Sequence, residues 1–374
     1  LRVLNLDRGE AGSRDPVLIA LRVAMDHGFA DHVAPDHVLS PAGHVNFYPA
    51  RAPEPVEKTP ELAAEFSEAV PSALPTCGSI GLVDVGFHEV PRRPGYADVP
   101  NEPTVPTALT PDVFHGAWVA WLAARYVHIS VITGRWVDSI RLDHELAGTD
   151  KHIVTTDSDI AAAIYDLLDE RRNGRGTRVI TLTMGGTVAT TLLATEKAAA
   201  AAASEGVLVV ASSGNEGKKQ AVYPAALPTV LAVGASVQRR DGTWRRASYN
   251  NRFIGINLYA PGEHIVPIKP ESYTVPLTES TDVEVDVTAE EQRNFEQLGD
   301  PGTELEKVAL ASVEGTSFAV PVVAGVVAAN CTKYEEALKK FQSPKLAALH
   351  ILFKLEPPGF LKPYELAWPR AFPN

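Results

Sequence analysis

The sequence has few cysteines and no long apolar run, and each scarcity excludes a class of protein. Two cysteines, Cys77 and Cys331, among 374 residues cannot form a disulfide framework, although one bridge between them is open. We favour two separate thiols, and no cysteine–histidine set has the spacing of zinc ligands. The longest uncharged apolar run, Gly315–Cys331, contains Pro321 and is shorter than the ~20 residues that a membrane-spanning helix needs. We therefore interpret it as a buried helix.

Positive charge is also scarce. The 34 lysines and arginines are outnumbered by 46 aspartates and glutamates, which gives a net charge of −12. A nucleic-acid-binding protein needs a basic surface, and anionic membranes attract positive charge, so we expect neither partner. The hydrophobic share of 45% is ordinary for a globular protein and predicts a sizeable core. The first residues, Leu1–Leu4, lack the apolar stretch of a signal peptide. A cytoplasmic location is slightly favoured over secretion followed by processing.

Short apolar strands alternate with helical patterns from Ser79 onward. The predicted strands are 79–85, 128–133, 177–183, 207–211 and 230–233, and the predicted helices are 110–126, 157–171 and 188–204. This alternation indicates an α/β fold with a mostly parallel sheet and helices on both faces. In such sheets, ligands bind at the carboxyl ends of the strands.

Four polar residues stand beside these elements. Asp84 ends the first strand, His115 lies near the start of a helix, Asn215 follows a strand, and Ser317 opens the uncharged helix. Taken singly, each has an ordinary explanation: a turn-forming acid, a structural histidine, a turn asparagine and a helix N-cap. Their surroundings in the sequence carry more information than the residues alone.

Together these segments resemble the subtilisin-like serine proteases, the subtilases. Gly315–Pro321 is similar to the family's Gly-Thr-Ser-x-Ala-x-Pro segment, and Gly214–Gly217 to its Gly-Asn-x-Gly turn. His115–Ala120 is similar to His-Gly-x-x-Val-Ala, and Asp84–Gly86 to Asp-x-Gly. The order Asp, His, Ser is that of subtilisin. The resemblance covers about residues 77–335 and implies a three-layer, subtilisin-like α/β fold.

The resemblance also implies a serine endopeptidase that works through an acyl-enzyme intermediate. Ser317 would be the nucleophile, His115 the general base and acid, and Asp84 the group that orients the imidazole. Asn215 would donate to the oxyanion together with the backbone N–H of Ser317. The polypeptide substrate would contact a specificity pocket walled by six residues: Thr183, Met184, Gly185, Ser212, Ser213 and Gly214.

Departures from the family pattern keep two alternatives open. Ala117 and Trp118 replace a common Thr and second His, and Val85 replaces a Thr or Ser. The alternatives are a catalytically silent subtilase fold that binds or regulates, and an acyl transferase that cyclises peptides. We expect Trp118 to pack in the core. No cofactor is predicted, and structural calcium is an expectation from the family alone, since no EF-hand-like spacing is present.

We divide the chain into three parts: an N-terminal helix and Pro-rich arm (1–76), a catalytic domain (77–335) and a C-terminal extension (336–374). The arm is predicted to hold helices at 16–30 and 59–70 with an extended segment at 35–60 between them. It does not look like a compact prodomain, and we favour an arm that packs on the domain and remains attached. An insertion at about 266–312 carries most of its acids in 279–306. A solvated loop is favoured there over a lid, an acidic gate or an arm that contacts a substrate or partner.

Overall fold

The computed structural model describes residues 22–28, 37–41, 51–56, 78–84, 115–127, 132–136, 140–141, 153–171, 177–188, 192–268 and 309–363. The predicted helix at 59–70 and the acidic segment at 279–306 lie outside these residues. The strands are β1 Val38–Pro41, β2 Arg51–Val56, β3 Ser79–Asp84, β4 Ile132–Trp136, β5 Ile140–Arg141, β6 Ile153–Thr156, β7 Thr177–Leu182, β8 Met184–Gly185, β9 Leu208–Ser212, β10 Leu231–Gln238, β11 Trp244–Arg246, β12 Ile256–Pro261, β13 Glu263–Ile268 and β14 Ala309–Glu314. The helices are α1 His115–Ala123, α2 Asp157–Glu170, α3 Leu193–Ser204, α4 Thr316–Ala329, α5 Cys331–Phe341 and α6 Pro344–Leu355.

A seven-stranded sheet forms the centre of the fold. Its strands lie in the order β11-β10-β9-β7-β3-β4, with β12 also paired to β10. Every pairing among them is parallel except that of β10 with β11. The prediction of a mostly parallel sheet is therefore confirmed.

Alternate residues along the central strands enter two separate cores, one on each face of the sheet. In β9, Leu208 and Val210 join a core with α1, α4, α5 and α6, whereas Val209 and Ala211 join a core with α2 and α3. This alternation follows from the two-residue side-chain period of a strand. Both faces are covered by helices, which gives the three layers that were predicted.

The uncharged run of the sequence forms α4, which packs against the sheet and α1. Nearly all of its residues are buried, as the absence of charge predicts. Pro321 lies inside this helix as its sixth residue, so the helix lacks one backbone N–H donor there. No single described helix is long and apolar enough to cross a membrane; α4 and α5 pass such a test together, with a bend of 88° between them.

Two smaller antiparallel sheets attach the N-terminal arm to the rest of the chain. One has the order β5-β6-β1-β8 and the other the order β13-β14-β2. The extended segment predicted at 35–60 thus includes two strands, and residues 22–26 are helical within the predicted helix 16–30. The boundary predicted at residue 335 lies within α5.

Three expectations from the sequence need correction. The helix predicted from residue 188 begins at Leu193, and the strand predicted at 230–233 continues to Gln238. Cys331 is disulfide-bonded, so the preference for two separate thiols is wrong. The sequence contains only one other cysteine, Cys77. Cysteine spacing along the chain could not reveal this bridge, because a disulfide depends on the distance between Cα atoms in the fold.

Candidate active site

Three neighbouring parallel strands end at the same edge of the central sheet. Val83 is in register with Leu182, and Leu182 with Ala211, so β3, β7 and β9 finish level with one another. The residues that end or follow these strands, Asp84, Thr183 and Ser212, are therefore brought side by side. This edge is where the fold predicts a ligand site.

Asp84 and His115 meet at this edge. His115 is the first residue of α1, and its Nδ1 lies 2.7 Å from Asp84 Oδ1. Both side chains have zero exposed surface. Because Nδ1 faces the carboxylate, the Nδ1–H tautomer leaves Nε2 as the basic nitrogen.

The second oxygen of Asp84 also has a partner. The Thr183 hydroxyl donates to Asp84 Oδ2 at 2.5 Å, and the Ser212 hydroxyl donates to the Thr183 carbonyl at 3.2 Å. Thr183 was predicted as a wall of the specificity pocket, and the structure adds this contact with the carboxylate. Its position directly after β7, level with Asp84, is what makes the contact possible.

Burial sets the charge state of the imidazole. Desolvation lowers the pKa of His115 well below its usual value, because the protein interior penalises the charged form. A neutral imidazole at neutral pH can accept a proton, which is the first requirement of a general base.

Ser317 lies in the first turn of α4, one residue before the Phe318 ring that contacts the histidine. The ring of Phe318, its neighbour in the chain, has its centroid 5.2 Å from that of His115. Ser317 is fully buried, and its hydroxyl forms no hydrogen bond with any described residue. Its backbone N–H belongs to the first turn of a helix, where such groups have no intrahelical acceptor.

Asn215 is held by the residue that precedes the serine. The backbone N–H and the hydroxyl of Thr316 both donate to Asn215 Oδ1, each at 2.9 Å. Because the N–H of Thr316 can only donate, the amide oxygen must face it and Asn215 Nδ2 must point elsewhere. A Cβ placed on Gly315 would lie 3.3 Å from both Asn215 Nδ2 and Ser317 Oγ, so the two atoms flank one small space.

The turn that carries Asn215 has supports that the sequence analysis missed. Gly214 has φ +88°, which favours glycine, and its N–H donates to the Thr316 hydroxyl at 3.1 Å. Asn251 donates its side-chain amide to Glu216 and accepts from the N–H of Lys218 at 3.0 Å. Thr316 was visible within the matched Gly-Thr-Ser segment, whereas Asn251 lies outside every matched segment.

The remaining pocket predictions fall around this site. Met184 and Gly185 form β8 beside Thr183, and both are buried. Ser213 is buried, and its hydroxyl has no hydrogen-bond partner among the described residues. Within the described part of the chain, no group of three His, Cys, Asp or Glu side chains could hold a metal ion.

The sequence comparison assigns the family. The family model of the subtilases, peptidase family S8, matches residues 115–350, which is more than half of the chain. The chain therefore belongs to the subtilase family of serine proteases and has its subtilisin-like α/β fold. The matched region includes His115, Asn215 and Ser317 and leaves Asp84 outside. Among curated proteins, none matches the chain in sequence.

Solved structures of several proteases match this chain at low sequence identity. A lanthipeptide protease is 21% identical, with 74% of this chain and 79% of that chain covered and a TM-score of 0.46. The prenylagaramide maturation protease PagA is 18% identical, with coverage of 78% and 98% and a TM-score of 0.44. Fervidolysin from Fervidobacterium pennivorans, a keratinolytic enzyme related to subtilisin, is 21% identical, with coverage of 79% and 45% and a TM-score of 0.45.

Proposed function

We propose that the protein is a serine endopeptidase that cleaves polypeptides through an acyl-enzyme intermediate. Ser317 is the nucleophile, His115 the general base, and Asp84 the carboxylate that orients the imidazole. Asn215 Nδ2 and the backbone N–H of Ser317 form the oxyanion hole. The observation that carries the proposal is the buried hydrogen bond between His115 Nδ1 and Asp84, formed beside the first turn of α4.

The steps follow the order of acyl transfer. The Ser317 hydroxyl attacks the scissile carbonyl carbon while His115 Nε2 takes its proton. The oxyanion is stabilised by donors that are already held in place, since Thr316 fixes the Asn215 amide. His115 then gives its proton to the leaving amine, and water hydrolyses the ester by the same steps.

Three variants test this function against a mixed peptide library. We expect wild-type protein to hydrolyse peptides and Ser317→Ala to lose at least about 10⁴-fold in kcat/KM, as in triads of this kind. Asp84→Asn should also lose activity because it favours the wrong tautomer of His115. Equal rates for wild type and Ser317→Ala would contradict the proposal and favour a catalytically silent fold. Amide products formed with an added amine would instead favour acyl transfer.

We also propose an oxidising compartment for the protein. Cys331 is disulfide-bonded, and lasting disulfides are rare in the reducing cytoplasm. This favours secretion followed by processing over the cytoplasmic location expected from the sequence. Alkylation of the protein isolated from its native source, followed by mass spectrometry, tests it: a blocked Cys331 supports the bridge and an alkylated one contradicts it.

A further inference from the structure

Two aromatic side chains pack in a row with the imidazole of His115. The ring of Phe318 has its centroid 5.2 Å from that of His115, and the two planes are tilted by 44°. The ring of Trp118 lies 6.4 Å from that of Phe318, with a tilt of 55°. Aromatic rings prefer such tilted arrangements, because the positive edge of one ring meets the negative face of the other. We call these three side chains, His115, Phe318 and Trp118, the aromatic row.

The aromatic row is buried along its whole length. His115 and Phe318 have no exposed surface, and 2% of Trp118 is exposed, so the tryptophan packs in the core as the sequence predicts. Phe318 and Trp118 belong to the core that α1 and α4 share. Protein interiors are densely packed, so a ring turns there only if its neighbours make room. The row therefore joins the imidazole to the rigid interior of the protein.

Two short spacings in the sequence build the row. Trp118 lies three residues after His115 in α1, and positions three apart share a helix face. Phe318 directly follows Ser317 in α4. Trp118 stands where a second histidine is common in the family pattern, so the row is a feature of this chain. Phe318 thus links the segment of the serine to the helix face of the histidine.

A second contact between α1 and α4 fixes their separation. A Cβ placed on Gly325 of α4 would lie 2.5 Å from Cδ2 of Tyr126, which follows the end of α1. Only glycine leaves room for the Tyr126 ring against the backbone of α4. Gly325 lies about two helical turns after Phe318. The two helices therefore touch at two separate points, and Phe318 forms the point beside His115.

The hydrogen bond to Asp84 restrains one edge of the imidazole. His115 Nδ1 lies 2.7 Å from Asp84 Oδ1. A single hydrogen bond still permits the ring to swing about that bond, since the outer torsion of a histidine side chain is soft. A second ring packed against the imidazole opposes the swing. Small displacements of a catalytic group can cost large factors in rate, so such a restraint has a consequence for the reaction.

We propose that Phe318, supported by Trp118, is a positioning residue that holds the imidazole of His115 against Asp84 in the orientation that takes the proton of Ser317. This inference rests on the proposed function and adds a residue to that reaction. Phe318 transfers no proton and acts only through His115. Its loss should therefore change the rate of the chemical step and the hydrogen bond between His115 and Asp84.

Phe318→Leu removes the ring and keeps an apolar side chain. On a peptide that wild type cleaves, we expect kcat to fall by about three- to tenfold, the rate change that corresponds to one aromatic pair, with little change in KM. Phe341→Leu is the matched control, because Phe341 makes a similar tilted contact with His350 at 4.9 Å, on helices that carry none of the catalytic residues. It should retain the wild-type kcat, and an equal loss there would overturn the inference.

Variants of Trp118 test whether its support passes through Phe318. Trp118→Leu should lower kcat in the same direction and by less than Phe318→Leu does. Trp118→Phe keeps a ring and should retain most of the rate. The double variant Phe318→Leu/Trp118→Leu should be no slower than Phe318→Leu alone, because residues that act as a unit are not additive. Losses that multiply in the double variant would overturn the supporting role of Trp118.

Proton NMR follows the imidazole without any turnover. In Ser317→Ala protein with isotope-labelled histidine, the Nδ1–H of His115 should resonate far downfield, because it donates to a buried carboxylate. His115→Gln in the same background assigns the signal by removing it. Phe318→Leu should move the signal upfield or broaden it, whereas Phe341→Leu should leave it unchanged. Circular dichroism checks folding, and Phe318→Met replaces Phe318→Leu if that variant is unfolded.

The outcomes separate this inference from the proposed function. If wild type cleaves the peptide and Phe318→Leu has the same kcat, changes only KM, or leaves the NMR signal unchanged, the positioning role is wrong and the protease function stands. If wild type is as inert as Ser317→Ala, the proposed function is wrong, and a positioning role in that reaction falls with it. A lower kcat at constant KM together with a shifted or broadened signal supports both.

Discussion

Both carboxylate oxygens of Asp84 are occupied. One accepts from His115 Nδ1 at 2.7 Å, and the other accepts from the Thr183 hydroxyl at 2.5 Å. The sequence has Val85 where relatives have a hydroxyl residue, and Thr183 supplies a hydroxyl from the neighbouring strand. We infer that Thr183 is a positioning residue that holds the Asp84 carboxylate beside His115.

Thr183→Val tests this contact. The variant leaves a buried carboxylate oxygen without one donor, and hydrogen bonds to charged groups are worth about 1.5–3 kcal/mol, so we expect kcat to fall by about tenfold or more. KM should change little, and Thr183→Ser should restore most of the rate. Thr181→Val is the control, because Thr181 lies two residues earlier, on β7, and its buried hydroxyl has no hydrogen-bond partner among the described residues. Equal losses of kcat in Thr183→Val and Thr181→Val would show that the effect comes from changed packing and not from the hydrogen bond to Asp84.

Asn215→Ala removes the proposed side-chain donor to the oxyanion. We expect kcat to fall by about 10²–10³-fold, the magnitude known for such a donor in subtilisin, with a small change in KM. We expect kcat to fall while KM changes little because the oxyanion forms during the reaction and is absent from the bound substrate. Asn330→Ala, at the other end of α4, is the control and should retain the wild-type kcat. A rise in KM at constant kcat would assign Asn215 to substrate binding instead.

Close packing and a covalent bond hold β3 and α4 in place. A Cβ on Gly78, beside β3, would lie 2.1 Å from the carbonyl oxygen of Ala328, so only glycine fits between the two backbones. Cys331, just after α4, is disulfide-bonded, and the other cysteine of the sequence, Cys77, immediately precedes Gly78. The strand that ends at Asp84 and the helix that carries Ser317 therefore pack closely at the ends remote from the site.

Cys331→Ser should destabilise the protein by about 2–4 kcal/mol, because a bridge that closes a long loop restricts the unfolded chain. The measurement is the urea midpoint of unfolding, taken on the Ser317→Ala background so that the proposed protease activity does not digest unfolded chains. Reductant should lower the midpoint of the parent toward that of the variant and leave the variant unchanged. A midpoint that is insensitive to both changes would contradict a stabilising bridge.

Acid should destabilise the whole molecule through its buried histidines. Burial lowers the pKa of His115 well below its usual value and that of His264 to about 4. In the unfolded chain each of these histidines binds a proton near pH 6.5, whereas in the folded chain both stay neutral until a lower pH. The free energy of unfolding therefore falls as the pH drops below about 6.5 toward 4. Above that window the two groups contribute no pH dependence.

Urea unfolding at pH 7.5, 5.5 and 4.5 checks this expectation, again on the Ser317→Ala background. His264→Gln should reduce the loss of stability between pH 6.5 and 4, because the variant lacks one of the two buried histidines whose pKa is lowered by folding. An unchanged slope in His264→Gln would mean that the group is protonated in the folded state. The hydrolytic rate should persist somewhat below pH 6.5, since burial lowers the pKa of His115.

Local patterns in the sequence were enough to predict the family and the parallel sheet, and they also nominated the four candidate residues, which stay a prediction. The Gly-Thr-Ser segment of α4 and the turn of Asn215 are continuous stretches whose chemistry depends on neighbours in the chain. The uncharged run at Gly315–Cys331 also predicted a buried helix, because a helix with no polar face lies inside the protein.

Contacts between distant segments could not be predicted in this way. The hydroxyl of Thr183 meets Asp84 across 99 positions of the chain, and Asn251 supports a turn that lies 35 positions before it. The arm was expected to be extended, but nothing in Val38–Pro41 says which strand it pairs with. Pairing of short strands depends on free edges and register, and these exist only once the sheet has formed. The folded chain alone therefore decided that β1 pairs with β8 and that Asp84, His115 and Ser317 are buried.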